Sequence, residues 1–91
     1  MSATFLIEDV FSIPSRGIVI TGTVKSGEIS IGMTGYVGGL RTRILSIETF
    51  NKNLVTIKEG ENCGLLLEGV RKENVRKGEI IIFGEGDEKE F

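Results

Sequence analysis

Glu48 and Phe50 stand two residues apart in a strand-like run with Ser46 beside them, so a carboxylate, a hydroxyl and a ring share one face of an extended chain. Such a set can accept a hydrogen bond from a sugar hydroxyl and stack a flat base. Nearer the start, Asp9, Phe11 and Ile13 fall on one side of another run unless a bulge intervenes, with Glu8 next to them. Glu8, Asp9 and Glu48 are also the carboxylates that a small acid/base hydrolase would need. The plainer reading packs Phe11, Ile13 and Phe50 into the core and leaves the acids solvated. Composition alone leaves both readings open.

Other chemistry is excluded more firmly. The chain has no histidine, which removes the commonest general base near neutral pH, and one cysteine, Cys63, which cannot form an internal disulfide. One thiol and no imidazole do not make a zinc site, so no metal and no cofactor are expected. Cys63 lies inside an apolar run and reads as a buried, inert thiol. The spacing of Gly32, Gly35 and Gly38 lacks the Lys-Ser/Thr of a phosphate loop and sits between strands, so turn and bulge glycines explain it.

The elements that must carry these residues are short strands. Thirteen glycines recur between β-branched runs, and there is one proline. The pattern predicts strands over about 4–13, 17–25, 33–38, 41–51, 62–70 and 79–83, with a short extra one near 29–31 and a helical turn within 70–77. Pro14-Ser15, Lys25-Ser26-Gly27-Glu28 and Val37-Gly38-Gly39-Leu40 read as turns. Six strands with no partner sheet must close on themselves or expose edges, so the expected fold is all-β: a small closed antiparallel barrel of about six strands. It should occupy residues 1–84, with an acidic, mobile tail over 85–91. Leu65-Leu66-Leu67 and Ile80-Ile81-Ile82-Phe83 are apolar on both strand faces, which predicts cover from outside the barrel by a loop, a partner or a ligand.

Charge narrows the partners. Glu85, Asp87, Glu88 and Glu90 against Lys89 give the last seven residues a net −3, which leaves the body at +1. A nearly neutral body argues against sequence-blind phosphate binding, so any nucleic-acid contact must be local. Arg71-Lys72-Glu73-Asn74-Val75-Arg76-Lys77 is the one basic cluster and reads as a solvated turn or a contact for RNA backbone or an acidic partner; Arg41 and Arg43 share a strand face. No run is long enough to cross a bilayer and no leader precedes Thr4, so a cytoplasmic protein with no membrane partner is expected. Met1 opening directly on the barrel favours a complete product.

Ile7-Glu8-Asp9-Val10-Phe11-Ser12-Ile13, with Arg16-Gly17, Ile18-Val19-Ile20-Thr21-Gly22 and Gly27, closely resembles the opening hairpin of the second domain of elongation factor Tu and its relatives. The resemblance continues through Ile47-Glu48-Thr49-Phe50-Asn51-Lys52, Gly60-Glu61-Asn62-Cys63-Gly64-Leu65-Leu66-Leu67, Gly69-Val70 and Arg76-Lys77-Gly78. In that family the barrel receives the aminoacylated 3′ end of transfer RNA in a cleft shared with a GTPase domain. Carried over by motif position, the resemblance implies that Glu8, Asp9, Phe11, Thr21 and Asn62 surround the aminoacyl group. It likewise implies that Ile13, Val19, Glu48 and Leu66 enclose the terminal adenosine, Val19 and Leu66 sandwiching the base and Glu48 meeting a ribose hydroxyl. Arg16 would meet a phosphate or a neighbouring domain. Asn51 stands where the family usually has an arginine near the terminal nucleotide, Thr23 replaces a basic residue, and Ser15 replaces a glycine.

The leading expectation is therefore a non-catalytic, translation-factor-like barrel that binds an RNA end, weakly on its own. The alternative is a protein-interaction module that docks on a GTPase, a ribosomal component or its own copy without touching RNA. A carboxylate-dependent hydrolase is the third class.

Overall fold

The computed structural model describes residues 2–85, so the tail from residue 86 onward lies outside the described residues. Nine strands run in order: β1 Ser2–Ile13, β2 Gly17–Ser26, β3 Glu28–Ser30, β4 Thr34–Val37, β5 Leu40–Thr49, β6 Lys52–Leu54, β7 Thr56–Lys58, β8 Asn62–Leu67 and β9 Ile80–Gly84. The order β4-β9-β1-β2-β8-β5, with β5 returning to β4, closes a six-stranded antiparallel barrel, and β6 extends from β5 as a hairpin arm. The all-β closed barrel expected from the sequence is the fold. β3 and β7 form a separate two-stranded ribbon, and the helical turn is a 3₁₀ turn at Lys72–Asn74.

Alternation fills the interior. Ile18, Ile20 and Val24 of β2, Cys63, Leu65 and Leu67 of β8, and Ile81 and Phe83 of β9 all point inward and are buried. Ile29 and Ile57 of the ribbon and Val70 and Val75 beside the 3₁₀ turn join the same core. Two strands break the alternation. In β1 the buried residues run Ala3, Phe5, Ile7 and then Val10, because the register with β2 slips between Ile7 and Asp9. In β5 they run Thr42, Ile44 and then Ile47, because the register with β8 slips between Ile44 and Ser46. Each slip is a bulge: one extra residue is accommodated and every later side chain changes face.

Tight turns set the strand ends. The Ile13 carbonyl accepts from the Arg16 amide at 3.0 Å, with Pro14 and Ser15 between them and Ser15 at φ 61, the pattern of a type II turn. The run expected as one strand over 41–51 is instead a hairpin. β5 ends at Thr49, which pairs with Lys52, and Phe50 and Asn51 make the turn at φ 38 and 69. Both central residues lie in the left-handed region that the right-handed twist of a two-residue hairpin demands.

One packing reading fails: Phe11 is 47% and Phe50 95% exposed, so neither is core, and Ile13 is only half-buried. Ile80 and Ile82 are 56% and 64% exposed, so no loop among the described residues covers the outer face of β9.

Candidate functional site

The outer face of four neighbouring strands carries the candidate residues in rungs. Phe11 of β1 lies opposite Val19 of β2, Val19 opposite Leu66 of β8, and Leu66 opposite Ser46 of β5. One rung along, Asp9 faces Thr21, Thr21 faces Gly64, and Gly64 faces Glu48. In the third, Thr23 lies opposite Asn62. The two bulges build this arrangement, since without them Asp9 and Phe11 in β1, and Ser46 and Glu48 in β5, would turn into the barrel.

A cleft of about 420 Å³ opens over the second and third rungs. Its floor is Gly22, Cys63 and Thr21, and its rim is Glu8, Asn62, Glu48 and the Thr49–Phe50 turn. Glu48 and Phe50 do meet at one cleft, but the ring arrives from the hairpin turn and not from a shared strand face. Gly64 lies between Thr21 and Glu48; a Cβ there would stand 3.3 Å from Val19 Cγ1 and 3.7 Å from Thr21 Cγ2. Its missing side chain keeps this rung low.

Hydrogen bonds hold the walls. The Asn62 amide nitrogen donates to Thr23 Oγ1 at 2.6 Å and to the Gly22 carbonyl at 3.3 Å, and Thr23 Oγ1 donates to Glu8 Oε2 at 2.8 Å. Glu8 is the extra residue of the β1 bulge, and this relay fixes where its carboxylate sits. Thr23 thus positions Glu8. Arg16 donates from the β1–β2 turn to Glu48 Oε2 on β5, and Ser46 Oγ donates to the same oxygen at 3.3 Å. The Arg16 bond is the chief reason that the Glu48 carboxyl titrates below the usual range, aided by the Arg16 charge and Ser46. Asp9 is lowered foremost by the Val10 amide donating to its Oδ1 at 3.0 Å, then by Lys77, whose ammonium is 3.4 Å away. Burial, helped by Glu61, pushes the Cys63 thiol up to about 12, so this floor residue is inert as expected.

The chemistry that results is recognition of hydrogen-bond donors. Asp9 and Glu48 are biased toward the ionised, acceptor-only form, and an exposed ring stands beside them. No group of three or more His, Cys, Asp or Glu among the described residues could hold a metal ion.

The sequence-derived site residues are distributed unevenly over this surface. Glu8, Thr21, Glu48 and Asn62 line the cleft. Asp9 adjoins it through Thr21, and Phe11, Val19 and Leu66 make the apolar rung next to it. Arg16 reaches it through Glu48. Ile13 stands farther along, opposite Gly17, and Asn51 is exposed in the β5–β6 turn, outside the lining. Val19 and Leu66 cannot sandwich a base as expected: they are directly opposed neighbours on adjacent strands and form one step, not two walls. Val19 is only 6% exposed although it lies on the outer face, flanked by Phe11 and Leu66. Gly22, Gly64 and Thr49 were not anticipated as site residues. Isolated glycines within strand-like runs, away from any turn, are the signal that marks the first two as points of close approach.

Residues 17–82, well over half of the chain, match the family described as elongation factor Tu domain 2. The match spans β2 through most of β9 and so includes three of the four strands that build the cleft. The chain therefore belongs to the elongation factor Tu domain 2 family, whose barrel is a non-catalytic module.

Proposed function

We propose that this barrel is a non-catalytic receptor for the aminoacylated 3′ end of an RNA, with transfer RNA the ligand implied by the family. One observation carries the reading: Glu8, Thr21, Glu48 and Asn62, drawn from four strands, converge on a single open cleft beside an apolar rung. The groups that such an end presents are donors and flat apolar surface. Ribose hydroxyls and the α-ammonium suit the carboxylates of Glu48 and Glu8, and an adenine can lie on the apolar rung of Phe11, Val19 and Leu66. Phosphates are poorly served by this acidic rim, with Arg16 the basic group at its edge, so affinity rests on the terminal residue. Asp9 and Glu48 both favour the ionised state, which gives neither the raised pKa of a general acid and supports binding over hydrolysis.

The test is a titration of the isotope-labelled chain with aminoacylated and deacylated transfer RNA, followed at the amides of Thr21, Glu48 and Asn62. Shifts with the aminoacylated form that weaken on deacylation are expected. Unchanged amides at millimolar protein would refute the proposal.

A further inference from the structure

On another part of the barrel wall, away from the cleft, β4, β9 and the first half of β5 present a second surface. Tyr36 is 66%, Ile80 56% and Ile82 64% exposed. β4 pairs with β9 through Thr34 opposite Gly84 and Gly35 opposite Phe83, and continuing that register by one residue sets Tyr36 level with Ile82. A Cβ on Gly35 would stand 2.7 Å from the Ile82 carbonyl, which shows how closely the two strands approach. On the other side of β4, Tyr36 lies opposite Arg41 and Thr34 opposite Arg43. Both arginines are exposed while Thr42 between them is buried, so they share the outer face with the tyrosine. A cleft of about 180 Å³ adjoins them, lined also by Thr42, Glu68 and Gly69.

We infer that this surface docks an acidic segment of another protein that carries an aromatic or aliphatic anchor. Exposed apolar side chains grouped on one rigid face mark an interaction site, and tyrosine with arginine is the composition of binding hot spots. Charge selects the occupant. Among the described residues, the outward positions of β4, β9 and early β5 carry two arginines and no carboxylate, and Glu68 beside them touches Arg43 at 3.9 Å with both side chains about half exposed. So long and wet an ion pair is weak, and an incoming carboxylate can replace it. A second copy of this chain fits less well, because an isologous contact lays the patch on itself, and its outward positions carry no carboxylate to meet the arginines. Nucleic acid also fits less well: Tyr36 is the single ring on this face for a base to stack on, and two guanidiniums neutralise few phosphates.

The chain has no tryptophan, so a probe peptide's own fluorescence reports binding without background. The probe is a synthetic Asp/Glu-rich peptide with one tryptophan and one leucine. Binding that shifts the amides of Thr34, Tyr36, Arg43 and Ile82, and that weakens about fivefold or more in Arg43→Gln and in Ile82→Thr, is the expected result. Both substitutions are on the exposed face, and thermal melts check that the barrel is intact. Equal binding of oligoglutamate lacking the anchors, tighter binding of an RNA oligonucleotide at the same amides, concentration-dependent shifts without any probe, or no shift with millimolar peptide would each overturn the inference.

Discussion

Replacing Gly64 with alanine separates the cleft from the fold. An added Cβ points out of the barrel, 3.3 Å from Val19 Cγ1, 3.7 Å from Thr21 Cγ2 and 3.8 Å from the Glu48 carbonyl. Only the first contact is tight, and Val19 must yield by a few tenths of an ångström. That crowding opposes a gain of about 0.5–1 kcal/mol, because alanine has less freedom to lose on folding and Gly64 is not in the left-handed region. Net stability should stay within about 1 kcal/mol of the parent, and the midpoint of a thermal melt within about 8 °C. Binding is affected differently. A methyl group raised between Thr21 and Glu48 lifts a bound group off the strand and removes some ten to twenty atom contacts, each worth about 0.1–0.2 kcal/mol. A loss of about 1–4 kcal/mol follows, which weakens a ligand by about five- to 900-fold. The assay pairs thermal melts with the amide titration by aminoacylated transfer RNA. Undiminished affinity in Gly64→Ala would show that the ligand does not approach this rung, and a collapsed melting temperature would show that the glycine serves the fold.

Gly22→Ala should behave oppositely, since its Cβ would fall 1.8 Å from the Leu6 carbonyl, a backbone atom that cannot move without parting β1 from β2; a loss of about 3 kcal/mol or more is expected in urea melts. Ser15→Gly removes a non-glycine residue from φ 61 in the β1–β2 turn and should stabilise by about 0.5–1 kcal/mol in the same melts. Cys63, its pKa about 12, should react with a thiol reagent at pH 8 only as fast as the barrel opens, and prompt labelling of the native protein would contradict its burial. The folded pKa of Glu48 is depressed, so the stability from its bond to Arg16 is fully present above the unfolded carboxylate value and is lost as pH falls through the folded one. Melts of the parent and of Arg16→Ala, both groups being substantially exposed, should therefore differ slightly at neutral pH and converge once the pH has fallen through the depressed folded value.

Most of the architecture could be read from composition and alternation. β-Branched runs broken by glycine give β1, β2, β4, β8 and β9 nearly to their ends, and the short strand near Ile29 is present. β6 and β7, each with one apolar residue, escaped because three-residue strands carry a weak period-2 signal; β3, just as short, is legible because Ile29 and Ile31 alternate. The β5–β6 hairpin escaped for another reason. Its turn is Phe50-Asn51, which lacks the glycine by which such turns are found, and the left-handed φ of 38 at a phenylalanine is set by the pairing of Thr49 with Lys52. The apolar run of β9 marks an outer face in need of cover by a loop, a partner or a ligand, and no loop among the described residues covers Ile80 and Ile82, since a sequence shows which residues prefer burial but not what buries them.

The candidate site was legible in its residues and illegible in its geometry, and the two bulges are the reason. Strict alternation groups Asp9 with Ala3, Phe5 and Ile7 on the inward side, and Glu48 with Thr42 and Ile44. One extra residue at Glu8 and one at Leu45 reverse those parities and put both carboxylates on the outer wall. The bulges also assign tasks to the residues around them. Glu8, unpaired in the ladder, is held by Thr23 and Asn62, and Leu45 is left 45% exposed. Deleting Leu45 would remove the extra residue and leave Ser46 and Glu48 outward and Ile47 inward, with alternation unbroken from Thr42 to Glu48. With Leu45 present, a strand without the bulge would turn Glu48 into the barrel and Ile47 out of it. Burying an ionised carboxylate costs several kcal/mol, and exposing one isoleucine costs about 1.5–3 kcal/mol, so the bulged strand wins. The carboxylate is thus fixed on the outer face by its own hydration, while the bulge is what lets the core keep its isoleucine at the same time.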